Sequence, residues 1–328
     1  INLSGCKSGS GVVFSHLGNW LNQTFGKKTG KELLPLMKDF YLLSHIRKPE
    51  FMGNTRTYDK RHEQIADLPW STEEINERLE QFKKLSDRVE KLYATVPSNR
   101  KDAYFEMIQY PIQASNEMNK KMLYAQFARH TPSDSASLWK KSDTAYDSIV
   151  SLTRRFNSLL DGKWNHIIST APRGLIVFDK VKRTASSTAL VSSPAPLQLW
   201  NGTEHDAVTG QHTVIDGLGH SGKAIYLGKG GTVEYEYRNF RKDSLTVEVC
   251  LVPTHAVEGG KLRFAVSTDD REPQVFDCET AEYSEEWKVN ILRAQAVKTA
   301  RFPSGSRKGR IKITALDEGV VIDQIRLR

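Results

Sequence analysis

Cysteine is nearly missing: Cys6, Cys250 and Cys278 are all that 328 residues contain, too few and too scattered for a disulfide framework or a zinc site. A Cys250–Cys278 bridge stays open, and the redox compartment with it. Long apolar runs are lacking as well, so no helix is expected to span a membrane. The opening INLSGCKSGSGVVF has neither the basic start nor the apolar core of a signal peptide, and it begins with Ile; upstream sequence is expected to have been removed. An arginine-rich arm and an aromatic-interleaved sheet motif are also missing. Nucleic acid is therefore not an expected partner, despite a formal charge of +8. Most of that excess falls before residue 171, where cations alternate with Glu as in EEINERLEQFKKLSDRVEKLY, a solvated helix face. The nine histidines lack metal-ligand spacing, so no metal and no cofactor are expected.

What the chain does have, up to residue 170, is helical spacing of apolar residues. Phe14, Leu17, Leu21 and Phe25 mark one helix, stopped by Gly26, which tolerates the left-handed conformation. Leu33, Met37, Phe40, Tyr41 and Ser44 mark the next, bounded by Pro49. Ser71 and Glu74 have capping-box spacing ahead of a stripe made by Ile75, Leu79, Phe82, Val89 and Leu92. A helix from Asp102 to about Arg129 is expected to kink near Met107, because Pro111 removes a donor. Leu138, Ala145, Ile149, Leu152, Phe156 and Leu159 predict a last long helix closed by Gly162. One-sided stripes bury against each other, so residues 1–170 read as a helical bundle.

Residues 171–197 are rich in Ser, Ala and Pro and read as a connection. Beyond them the period becomes two. TVEYEYR puts Val233, Tyr235 and Tyr237 on one face, and SLTVEVCLV does so with Leu245, Val247, Val249 and Leu251. Leu262, Phe264 and Val266 follow, then Trp287, Val289 and Ile291, then Ile311 and Ile313. Short alternating strands between turn signals predict an antiparallel, jelly-roll-like β-sandwich over 198–328.

Signals for chemistry are few. DGLGHSGK brings Asp216, His220 and Ser221 together, yet a nucleophile elbow needs glycine where Lys223 stands, and a glycine-rich turn is the better account. The GKGG of residues 228–231 lacks the hydroxyl residue and the following helix of a phosphate loop. Asp269 and Asp270 read as turn residues rather than a calcium site. Asn22 and Asn201 match glycosylation acceptors. Trp200, beside NGTEH, is the candidate for stacking on a sugar ring, whereas Trp287 reads as core.

In order and spacing, HIRKPEFMG, DAYFEMIQYPIQASNEMNKKMLYAQFAR and LLDGKWNHI resemble the helical region of glycoside hydrolase family 115, the xylan α-glucuronidases. VIDGLGHSGKAIYL, LTVEVCLVPTH, LRFAVSTDDREPQVFD, EEWKVNILRAQAV and ALDEGVVIDQIRLR resemble its C-terminal sandwich, so the resemblance runs from about residue 15 to 328. It implies an inverting enzyme that removes 4-O-methylglucuronic acid from glucuronoxylan, with its carboxylates on an upstream (β/α)8 barrel, itself preceded by a smaller α/β domain. This chain has no βαβ alternation long enough for a barrel, so no catalytic residue is carried over. The implied partners are that upstream barrel, a second copy of the chain and the polysaccharide; the implied location is extracytoplasmic, periplasmic or secreted. Arg47 and Lys48 suit the last carbonyls of a helix, Glu50 suits a cation, and Lys163 and Trp164 follow another helix end. These five are expected at a domain junction or active-site rim. The rival expectations are a free carbohydrate-binding protein gripping xylan through Trp200, and a structural dimerisation module.

Overall fold

A computed structural model describes residues 10–53, 67–186, 190–193, 195–238, 244–257, 260–269, 271–303 and 307–328. Cys6 and Asp270 lie outside them. The chain divides into two compact units, Ile1–Ser193 and Pro194–Arg328. The first is helical and the second is built of antiparallel strands; among the described residues no parallel barrel closes.

In the helical unit, α1 (Ser10–Phe25) and α2 (Lys27–Ile46) are separated by Gly26 at φ 88°. They approach so closely that a Cβ on Gly30 would sit 2.5 Å from Asn22 Oδ1 and 2.6 Å from Asn22 N. Only glycine fits there, and the same packing half-buries Asn22. Leu21, Phe25, Leu33 and Met37 are buried along the seam, but Tyr41 faces out. Each buried apolar side chain of this size contributes about 1.5–3 kcal/mol. α3 (Thr72–Tyr93) begins with the expected box: Ser71 Oγ accepts from Glu74 N at 3.2 Å and Glu74 Oε2 accepts from Ser71 N at 2.8 Å.

The helix expected to kink near Met107 runs as α4 (Lys101–Tyr104), a π turn (Phe105–Gln109) and α5 (Tyr110–His130). The proline lacks the N–H its preceding turn would use, and the ladder widens there instead of breaking. α6 (Ser135–Gly162) departs from helical geometry before Gly162: Leu159 is extended and Leu160 and Asp161 are left-handed, at φ 50° and 57°. The stop expected at Gly162 therefore begins three residues earlier.

Part of the stretch set aside as a connection is packed onto this unit. Val177 and Val181 are buried in a cluster with Trp70, Met118, Met122 and Trp139. Further on, Thr72 N donates to Val191 O at 3.1 Å, and Glu73 accepts from Ser192 Oγ and Ser193 N, both at 2.8 Å, at the start of α3.

The second unit holds β1 (Gln198–Asn201), β2 (Ala207–Thr209), β3 (His212–Asp216), β4 (Lys223–Leu227), β5 (Thr232–Arg238), β6 (Ser244–Leu251), β7 (Leu262–Thr268), β8 (Gln274–Cys278), β9 (Ala296–Pro303), β10 (Lys308–Ala315) and β11 (Val320–Leu327). One sheet runs β3-β4-β11-β6-β9 with β1 also on β11; the other runs β2-β5-β10-β7-β8. The inward residues of both, Val233 and Ile313 from one and Val247 and Ile325 from the other, share one core, as alternation requires. Cys250 and Cys278 are both buried free thiols, so no bridge joins them.

One expected strand is absent. Trp287, Val289 and Ile291 lie on a helix, α7 (Glu285–Arg293), capped by Ser284, whose Oγ accepts from Trp287 N at 3.2 Å. Two glutamates in the first turn and a left-handed Ala294 at the end outweigh a three-residue alternation. Trp287 is half-buried beside His255 and Tyr283 rather than in the core.

Candidate functional site

The chain leaving α2 turns at once. Arg47 N donates to Leu43 O at 3.2 Å, and a 3-10 turn at Pro49–Phe51 brings Met52 N to Pro49 O at 3.1 Å. Met52 is buried, Phe51 and Lys48 are exposed and Glu50 is half-buried. Arg47 is buried too: its guanidinium donates to Phe51 O and lies 5.9 Å from the ring of Trp70. Arg78 shares that ring at 5.1 Å and faces Phe82 at 4.9 Å. Its Nε donates to Asn119 Oδ1 at 2.6 Å, and its two terminal nitrogens donate to Leu43 O and Arg47 O at 3.2 Å each. The acceptors include carbonyls at the negative end of α2, where a cation is favoured. Burial lowers both guanidiniums to about 9, and for Arg78 the charge of Arg47 adds to the effect.

A third buried cation braces the other side of α5. Lys121 is fully buried and donates to Val177 O at 2.7 Å and Asp179 O at 2.8 Å. Burial lowers it to about 7, with the Asp179 charge opposing. Gln126 exchanges two 3.0 Å bonds with the backbone of Leu68, and Asp67 accepts from Arg129 Nε at 2.9 Å and contacts His130. These groups tie α5 to segments on either side of it.

The lowered lysine gives a pH test. Between its folded value near 7 and its unfolded value near 10.5, the unfolded chain holds a proton the folded chain has lost, so stability rises with pH. From pH 7 to 8, below the range in which Arg47 and Arg78 titrate, the helical unit is expected to gain up to about 1.4 kcal/mol per pH unit, measured by urea unfolding, and Lys121→Met should remove most of that slope. The sandwich should behave oppositely above pH 9: burial raises Cys250 to about 12, so there the folded state keeps a proton the unfolded state releases.

Lys163 and Trp164 follow the left-handed end of α6. Lys163 is exposed, with Nζ 4.8 Å from the Trp164 ring, and Trp164 packs beside Phe105, Phe156 and Leu159. Next to them is a cleft of about 820 Å³. One wall is a single face of α6, made by Val150, Thr153, Arg154, Asn157 and Ser158; the other is residues 161–170 folding back.

In the sandwich, Trp200 is half-buried against the core, 6.1 Å from the ring of Tyr235, and presents only part of its surface. The suspect triad does not assemble: Ser221 Oγ donates to Lys223 O at 3.0 Å, and His220 Nδ1 meets Asp323 Oδ2 at 2.7 Å, 103 residues away in sequence. Asp323 is fully buried and also accepts from His220 N at 2.8 Å and Gln295 Nε2 at 2.6 Å. It stands at a bulge where β11 shifts register against β6, the device that re-aims a side chain. Asp269 is a left-handed turn residue that accepts from Arg310 N at 2.9 Å and Tyr237 Oη at 3.1 Å. Among the described residues no three His, Cys, Asp or Glu side chains converge as metal ligands.

Residues 203–328 match the model of the glycosyl hydrolase family 115 C-terminal domain. The second unit is thus similar to that family's C-terminal domain. Among solved structures, a family GH115 4-O-methyl-α-glucuronidase, BtGH115A, with specificity for decorated arabinogalactans, is 44% identical with a TM-score of 0.84, over 100% of this chain and 42% of that one. The chain thus spans about two fifths of that relative's length. An exo-β-1,3-galactanase from Phanerochaete chrysosporium matches 42% of this chain and 30% of its own at 16% identity and TM-score 0.33. The C-terminal CBM6 of a laminarinase from Zobellia galactanivorans matches 40% of this chain and 97% of its own at 10% identity and TM-score 0.30. No curated protein matches the chain. The family 115 likeness with BtGH115A includes the helical unit, so the bundle and the family 115 sandwich recur together.

Proposed function

We propose that this chain is the accessory portion of a 4-O-methyl-α-glucuronidase, a helical unit and a sandwich that support a catalytic barrel elsewhere in the protein. The observation that carries the reading is full-length likeness to a family 115 glucuronidase of which the chain spans 42%. Supporting it, the cleft beside the end of α6 contains a single carboxylate, Asp161, while glycoside hydrolysis of the usual kind needs a pair flanking one cleft. The substrate of the whole enzyme is a plant polysaccharide bearing 4-O-methylglucuronic acid. Glucuronoxylan follows from the family resemblance; decorated arabinogalactan follows from the relative's specificity. An extracytoplasmic location suits such a substrate, and pairing of two copies belongs to the same reading.

The test is release of uronic acid from both polysaccharides, followed by anion-exchange chromatography. The 328-residue chain alone should release none; appreciable release would overturn the reading. Exchanged for its counterpart in BtGH115A, it should leave an active enzyme.

A further inference from the structure

We propose that the cleft beside the end of α6 binds a saccharide bearing a carboxylate, of the uronic acid class. That it takes a polar ligand rests on the cleft itself; the choice of a uronate also rests on the functional reading above. Its volume, about 820 Å³, lies within the range of small-molecule sites.

Four left-handed residues shape the turn into that wall: Leu160, Asp161, Gly162 and His166, at φ 50°, 57°, 82° and 68°. Three are not glycine and carry a steric cost. Burial of their side chains does not offset it, because Leu160, Asp161 and His166 are all exposed. What the conformation achieves is a reversal that lays residues 161–170 against α6.

The groups it gathers are polar and mostly idle. Arg154, Asp161 and His166 line the cleft, and none has a side-chain hydrogen bond or ion pair among the described residues. Asn157 donates through Nδ2 to Ile168 O at 3.0 Å, pinning the returning segment, while its Oδ1 is buried without a donor. A guanidinium matches a carboxylate with two parallel bonds. The amide of Asn165, with Asp161, offers both donors and acceptors for ring hydroxyls. A single cation opposite a carboxylate suits a polyol with one negative end better than a multivalent anion.

The test is titration calorimetry on the whole chain with 4-O-methylglucuronic acid, glucuronic acid and, as neutral control, methyl glucoside. The uronates should bind at least about tenfold more tightly than the neutral sugar, and Arg154→Met should remove that difference while leaving the melting temperature unchanged. His166→Gly, which suits a φ of 68°, should hold or raise the melting temperature and still weaken uronate binding. Equal affinity for uronate and neutral sugar, full uronate affinity in folded Arg154→Met, or no saturable uronate binding by the unaltered chain would each overturn the proposal. The readout is binding, so absence of turnover does not count against it. Equally, absence of binding does not count against the accessory role.

Discussion

Replacing Arg78 with alanine is expected to destabilise the helical unit by about 3–5 kcal/mol, because the residue ties α3 to the end of α2 and to α5 at once. Its guanidinium satisfies Leu43 O and Arg47 O at the end of α2 and Asn119 Oδ1 on α5. Alanine strands these acceptors in a region closed to water, at about 1–3 kcal/mol for each that stays unsatisfied. It also empties the space between Trp70 and Phe82. Against this stands one gain, relief of a buried cation that already lies close enough to Arg47 to be lowered by its charge. Three lost bonds outweigh it. Arg78→Lys should recover less than half of the loss, since a point-like ammonium cannot reach three acceptors in a plane. Urea unfolding followed by circular dichroism at 222 nm reads the effect; a loss under about 1 kcal/mol would mean water reaches these carbonyls.

Arg78 also shows where the sequence is legible. It sits in EEINERLEQFKK, read as a solvated face because charges dominate it. Yet it is three residues after Ile75 and four before Phe82, both fully buried, so position alone places it in the apolar stripe. Lys121, next to Met122, carries the same signal. A cation within a stripe announces burial; which carbonyls receive it depends on segments 31 to 58 residues away. The Ser71–Glu74 cap was legible because both partners are local. The alternation of β5, β6, β7 and β10 was legible because each strand has one face inward. It misled at Trp287, where three residues cannot separate period two from a short helix and the Ser284 cap decides. The left-handed end of α6 had no such marker, since neither Leu160 nor Asp161 is glycine.

Asp323→Ala is the second large effect, expected to cost the sandwich about 3–4 kcal/mol. The sequence GVVIDQIRL hides the reason, for β11 is central and buried on both faces, and a carboxylate there must find its donors from elsewhere. It finds three: the His220 amide and Nδ1, from the turn before β4, and Gln295 Nε2, just before β9. The turn is shaped to bring them in, since a Cβ on Gly219, at φ 76°, would fall 2.4 Å from Asp323 Oδ1. Gln295 passes the order outward by accepting from Arg326 Nη2 at 2.9 Å. Alanine leaves these donors facing an apolar gap, and the His220 amide should lose protection from hydrogen exchange. Asp323→Asn keeps the shape but turns an NH2 group toward at least one donor, so it should cost less than alanine, about 2 kcal/mol. Unfolding of the sandwich in urea, monitored for all three chains, decides the order. If the asparagine chain equals the unaltered one, the carboxylate is not what holds the turn to β11.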